Sequence, residues 1–119
     1  MPTRDEILDD RVQLIVADCH DVDERAMAWF YYVAEEISYP FRARCIVEIP
    51  SSPLLRDEEV EVQDIASAGA CEHTIFVQIS WHQRVLAVPL EQLQGIDVNE
   101  ATQTVIEDWC YWANHGYSF

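Results

Sequence analysis

The stretch Ile37-Ser38-Tyr39-Pro40-Phe41-Arg42-Ala43-Arg44-Cys45 is where the sequence changes its period, and its reading decides the fold. Before it, Ala26, Met27, Phe30, Val33, Ala34 and Ile37 recur at helical spacing behind Asp21-Val22-Asp23-Glu24, a capping sequence. Pro40 stops this helix, because the residue before a proline is pushed out of helical geometry. Further back, Thr3-Arg4-Asp5-Glu6 has the same capping form, and Ile7, Leu8, Val12, Ile15 and Val16 extend a first helix to about Ala17. After Pro40 the pattern turns to strands. Phe41 to Ile49 is rich in aromatic and branched residues and is broken by Pro50-Ser51-Ser52-Pro53. Glu58 to Ile65 alternates, with Val60 and Val62 opposite Glu59 and Glu61. His73 to Trp81 and Val85 to Leu90 are two more strands, joined by a tight turn near His82-Gln83 that lacks an Asn-Gly signal. Glu91-Gln92-Leu93 has the look of a single 3₁₀ turn. Asp97-Val98-Asn99-Glu100 is a third capping box, opening a helix with Ala101, Val105, Ile106, Trp109 and Trp112 on one side and Gly116 at its end. The order predicts one α+β domain over residues 1–119: two N-terminal helices, a small antiparallel SH3-like curled sheet of four to five strands, and a C-terminal helix.

Charge narrows what such a domain meets. The 22 acidic and 7 basic residues give a formal net charge of −15, and every basic residue is an arginine. Lysine chemistry, such as a Schiff base, is excluded. The field repels phosphates and anionic membranes, so neither nucleic acid nor membrane is an expected partner. Cations and basic protein faces are the partners it would gather. The acidic start of the chain lacks a signal-peptide layout and no apolar run reaches membrane-spanning length, so a cytoplasmic location is expected.

Enzyme motifs are absent. The chain has no GxSxG, no HExxH and only three glycines, too few for a phosphate loop where they stand. Cys19, Cys45, Cys71 and Cys110 form no CxxC pair; Cys19, Cys45 and Cys110 sit in apolar or periodic segments, where a free thiol packs as a small hydrophobe. Cys19-His20 and Cys71-Glu72-His73 are the only close soft-ligand pairs, and structural zinc asks for two spaced pairs. No enzymatic activity is expected.

The carboxylates remain, and they are clustered. Calcium takes six to eight hard oxygens from carboxylates, carbonyls and water. An EF-hand does not fit: counting from Asp18, the sixth position is Asp23 and the twelfth Trp29. Asp21, Glu24, Asp97 and Glu100 are expected to accept amides at helix starts, where the dipole disfavours a cation. The end of the second helix is the opposite case. Glu35 and Glu36 lie beside outward-pointing carbonyls, so a cation there would relieve an existing repulsion, with Ser38 and neighbouring carbonyls as further donors. The strand carrying Asp57, Glu58, Glu59, Glu61 and Asp64 is the second candidate, since like charges on one strand face need water or a cation between them. A solvated edge that resists aggregation explains the same strand equally well.

Several stretches together resemble the small acidic calcium-binding proteins of the cyanobacterial CcbP type. They are Glu24-Arg25-Ala26-Met27-Ala28-Trp29-Phe30-Tyr31-Tyr32, Pro40-Phe41-x-Ala43-x-Cys45, Ser52-Pro53-Leu54, Glu59-Val60-Glu61-Val62, Leu86-Ala87-Val88-Pro89-Leu90 and Glu107-Asp108-Trp109-x-Tyr111-Trp112. The resemblance covers nearly the whole chain. It implies an α+β protein that binds Ca2+ without EF-hands, as a cytoplasmic calcium buffer or sequestering protein of bacterial type, and a monomer is expected. Its matching residues are mostly core and turn positions, so the ligands do not follow from it. Ser38 is a weak donor where a carboxylate would bind better. The competing reading is an acidic interaction module that offers an SH3-like sheet to a basic partner, with Trp81, Tyr117 and Phe119 as its exposed aromatics.

Overall fold

The change of period falls where a helix hands over to a sheet. In the computed structural model, which describes residues 3–71 and 74–115, α1 spans Arg4–Ile15 and α2 spans Val22–Glu36. Thr3 caps α1 by accepting the Glu6 amide at 3.2 Å. Asp21 caps α2 through the Glu24 amide at 2.8 Å, while the Glu24 carboxylate accepts the His20 amide at 2.9 Å. Asp21 thus accepts from inside the helix and Glu24 from the residue ahead of the cap, a variant of the reciprocal capping box. α2 stops at Glu36, because Ile37 is already extended (φ −86°, ψ 135°) ahead of the cis Tyr39–Pro40 bond.

The strands are β1 (Phe41–Cys45), β2 (Glu59–Ile65), β3 (Phe76–Trp81), β4 (Arg84–Pro89) and β5 (Leu93–Ile96). A 3₁₀ turn over Leu90–Gln92 joins the last two, and α3 runs from Glu100 to Asn114. All neighbours pair antiparallel in the order β4-β3-β2-β1-β5. β5 completes the expected four to five strands, and the sheet stays open, with β4 and β5 as its edges.

Some boundaries differ from the sequence expectation. α1 ends at Ile15 and not near Ala17. β1 ends at Cys45 and not Ile49, because the chain there turns aside: Ile46 donates to the Gln92 carbonyl at 2.8 Å and Ile46 and Val47 are exposed. β3 begins at Phe76; His73 lies outside the described residues, as do Gly116, Tyr117 and Phe119. The β3–β4 turn is made by His82 (φ 46°) and Gln83 (φ 68°), a left-handed pair without the usual glycine or asparagine.

Alternation sorts the sheet. Phe41, Ala43 and Cys45 are buried while Arg42 and Arg44 are exposed, and Val60, Val62, Val77 and Ile79 extend the buried face. That face joins Trp29, Val33, Val105, Ile106, Trp109 and Trp112 of the helices in one core. Trp29 has no exposed surface, and its ring centre lies 5.9, 5.1 and 5.5 Å from those of Tyr32, Trp109 and Trp112. The contacts with Tyr32 and Trp109 are edge-on, an arrangement that adds to plain burial, and that with Trp112 is tilted. One polar knot ties the three helices: the fully buried Asp108 takes Arg11 Nε at 2.8 Å on one oxygen and the Tyr32 hydroxyl at 2.8 Å on the other. All four cysteines are free thiols, Cys45 and Cys71 buried and Cys19 and Cys110 half-buried.

Candidate metal centre

The end of α2 keeps the electrostatic imbalance its sequence suggests. Its last turn holds Glu35 and Glu36, both exposed, and no basic residue. Carbonyls at a helix end carry partial negative charge, so these carboxylates sit where anions are least welcome. Tyr39 covers one carbonyl, donating its hydroxyl to Val33 at 3.2 Å.

The start of α3 packs directly against this end, and here the sequence reading needs correction. Asp97 does not cap α3. Asn99 does, accepting the Thr102 amide on Oδ1 at 2.8 Å. Its Nδ2 donates to Ser38 Oγ at 2.9 Å, and the Ser38 amide donates to Thr102 Oγ1 at 3.0 Å. Both Asp97 and Asn99 precede α3 at plausible capping distance; the tertiary partner Ser38, 61 residues away, selects Asn99. Asp97 is left in the left-handed region (φ 52°), which aspartate tolerates better than most residues. Gly95 makes the tight loop feasible, since a Cβ there would meet Val98 at 2.8 Å.

Freed from capping, Asp97 borders a hollow of about 330 Å³ with Ser38, Glu61, Arg42, Asn99 and Thr102. Two carboxylates and several neutral oxygens thus face one space. Neither Glu61 nor Asp97 has an ion pair among the described residues. Asn99 also borders a second hollow, of about 620 Å³, with Glu36 and Glu100. The acidic groups therefore surround the α2–α3 seam.

The β2 cluster is differently disposed. Glu59 and Glu61 share the exposed face of β2, opposite Arg44 and Arg42 of β1 in register. Arg42 Nη2 donates to Glu59 Oε1, so a cation already lies between the strands. Glu58 accepts the Leu55 amide at 2.6 Å and Asp64 accepts the Ile65 amide at 2.8 Å beside a bulge at Gln63. Asp57 is exposed at the strand entrance with φ 72°. Of the eight residues picked out by sequence, the structure brings Ser38 and Glu61 to one hollow. Glu35, Glu36, Asp57, Glu58, Glu59 and Asp64 are outside its lining. Among the described residues, no three Asp, Glu, His or Cys side chains form a ready-made metal cage.

The thiols offer no rival site. Cys71 is buried and its Sγ accepts the Phe76 amide at 3.4 Å. Burial pushes the thiols of Cys19, Cys45 and Cys71 above the ordinary value, and burial followed by the charges of Glu91 and Glu107 pushes Cys110 up to about 12. Protonated thiols are poor ligands.

Comparison with known proteins adds a family. The family model Calci_bind_CcbP, described as calcium binding, matches residues 10–113. A structure described as the crystal structure of Anabaena CcbP is similar at a TM-score of 0.82 and 31% identity, over 99% of this chain and 98% of that one. Another, described as a calcium binding protein in the calcium-binding form, is similar at a TM-score of 0.83 and 30% identity over 100% of both chains. No curated protein sequence matches significantly.

Proposed function

The chain belongs to the CcbP calcium-binding family, and from that premise we propose that it binds Ca2+ in the hollow between the end of α2 and the start of α3. One observation carries this reading: Asp97, displaced from capping by Asn99, borders the same space as Glu61 and Ser38. The donor set fits the ion. Every candidate ligand is an oxygen, as a hard cation requires, and no thiol or imidazole borders the hollow. Glu61 and Asp97 supply charge, Ser38 Oγ a neutral donor, and water the remaining positions.

Two carboxylates make a modest site, with a dissociation constant on the order of 10⁻⁵–10⁻⁴ M. Such an affinity is far weaker than that of the tight cytosolic buffers, so the role proposed in the cytoplasm is that of a low-affinity buffer or sequestering protein, one that loads only when local calcium rises to tens of micromolar and empties as it falls. Glu35 and Glu36 deepen the negative potential at the seam. Asp57, Glu58, Glu59 and Asp64 are more remote contributors to the same field.

Calorimetric titration of the chelator-treated protein with calcium and then magnesium tests the proposal. Binding should stabilise the fold by about 2.7 kcal/mol at a hundredfold excess over the dissociation constant. Asp97→Asn and Glu61→Gln should each weaken binding, while Asp57→Asn should not. Absence of heat and of any thermal shift at millimolar calcium sinks the calcium reading for this chain. Loss of binding in Asp57→Asn, with Asp97→Asn and Glu61→Gln unaffected, moves the site to the loop that enters β2.

A further inference from the structure

The exposed face of the sheet carries a short row of charges whose pairing is not the one its register offers. Arg42 of β1 stands directly opposite Glu61 of β2, and Arg44 stands directly opposite Glu59. Directly opposed side chains are the nearest cross-strand neighbours, and diagonal ones lie about 7–8 Å apart, within reach of a long side chain. Two matched Arg–Glu pairs are the simple expectation. Neither forms among the described residues.

Each arginine is drawn one place aside. Arg44 Nη2 donates to Gln94 Oε1 at 3.0 Å, on β5 at its other flank, where Gln94 is its register partner. That leaves Glu59 open, and Arg42 Nη2 crosses the diagonal to Glu59 Oε1. Glu61 is left exposed and without an ion pair among the described residues. Yet Arg42 borders the same hollow as Glu61, Ser38 and Asp97.

For a site with two carboxylates this choice of partner matters. A guanidinium seated on Glu61 would offset one of the two charges offered to the ion. It would also occupy oxygens that a hard cation needs. Arginine keeps its charge at any ordinary pH, so a competitor of this kind does not switch itself off.

We propose that Glu59, which lies outside the lining of the hollow, is a positioning residue for calcium: by holding Arg42 on the diagonal it keeps Glu61 free for the ion. The role rests on the calcium reading given above. Glu59 then acts in two ways, through its share of the negative potential and through the arginine it detains. Only the second depends on Arg42. The Arg42 and Glu59 side chains are 66% and 51% exposed, so the hold is a few-fold effect that salt weakens.

Calcium titration of the wild type, Glu59→Gln, Arg42→Gln and the double variant at low salt separates the two contributions. Glu59→Gln should weaken binding about fivefold, and the same substitution on the Arg42→Gln background less than about twofold. Added salt should shrink the difference. In calcium-free protein, nuclear Overhauser contacts locate the guanidinium directly. Arg42 Hε should approach the Glu59 side chain in the wild type and the Glu61 side chain in Glu59→Gln. Equal weakening on both backgrounds assigns Glu59 to the general field and overturns the proposal. So does an Arg42 that stays away from Glu61 once Glu59 is neutralised. Wild-type protein that takes up no calcium ends the calcium reading and this role with it, whereas uptake with equal weakening ends the role alone.

Discussion

Asn99 reaches across the α2–α3 seam and donates its side-chain amide to Ser38 Oγ at 2.9 Å, joining the first turn of one helix to the residue beyond the other. The same side chain caps α3. Asn99→Ala should therefore cost about 1–2 kcal/mol in urea denaturation, the range for losing a helix cap. Asp97→Asn, which keeps a residue tolerant of left-handed backbone, should leave calcium-free stability within about 0.5 kcal/mol. Equal losses in both variants would restore Asp97 as a cap.

Ser38→Asp places a third carboxylate at the hollow bordered by Glu61 and Asp97. An aspartate still accepts from Asn99, so the seam persists. Calcium affinity should rise about tenfold. Calcium-free stability should fall through repulsion, so the calcium-induced rise in melting temperature should widen from both ends.

Arg42 borders the same hollow while paired with Glu59. Arg42→Gln removes the one cation that lines that space among the described residues. Calcium should bind about threefold more tightly at low salt, with the gain shrinking as salt is added. Titration at two ionic strengths measures both effects.

Arg11 meets Asp108 Oδ1 through Nε at 2.8 Å and Nη2 at 2.7 Å, and Asp108 has no exposed surface. Arg11→Met strands a buried carboxylate. The expected loss is about 2–3 kcal/mol, less than for a fully buried pair because the Arg11 side chain is 36% exposed. Tyr32→Phe removes the second partner and should cost about 1.5–2 kcal/mol. Thermal or urea unfolding measures each.

Alkali should weaken the fold before acid chemistry of the thiols becomes accessible. Burial, then the carboxylates of Glu91 and Glu107, raises Cys110 from an ordinary 9.0 to about 12, and burial also raises Cys45 and Cys71. Folded protein therefore holds these protons after unfolded chain has released them. Stability should be fully present below about pH 9 and decline as pH rises towards 12. Burial raises Tyr32 and Tyr39 too, which deepens the decline above pH 10. Urea midpoints from pH 7 upward measure the slope, and thiol reagents at pH 8 should react slowly with Cys110.

Much of the fold was legible because its signals are local. Thr3 and Asp21 cap helices as their sequences suggest, and the buried faces of β1 and β2 follow strict alternation. The third cap departs from its sequence signal because two residues compete for it and a distant serine decides. The β2 carboxylates looked uncompensated because Arg42 and Arg44 belong to another strand, and only the pairing register sets them opposite Glu61 and Glu59. The hollow itself was invisible for the same reason: Ser38, Glu61 and Asp97 come from three separate parts of the chain. A capping box two residues ahead of a second capable residue was the one hint that Asp97 could be spare.

The packing of Trp29 against Trp109 and Trp112 gives the protein an optical handle of its own. Indole rings held this closely and at fixed angles couple their electronic transitions, producing strong near-ultraviolet dichroism that vanishes once the rings tumble. Because Trp29 belongs to α2 and the other two to α3, the signal follows the relation between the helices whose ends frame the hollow. An ion that shifts one helix against the other would alter it, and one that enters a rigid seam would leave it unchanged, without a label on either element.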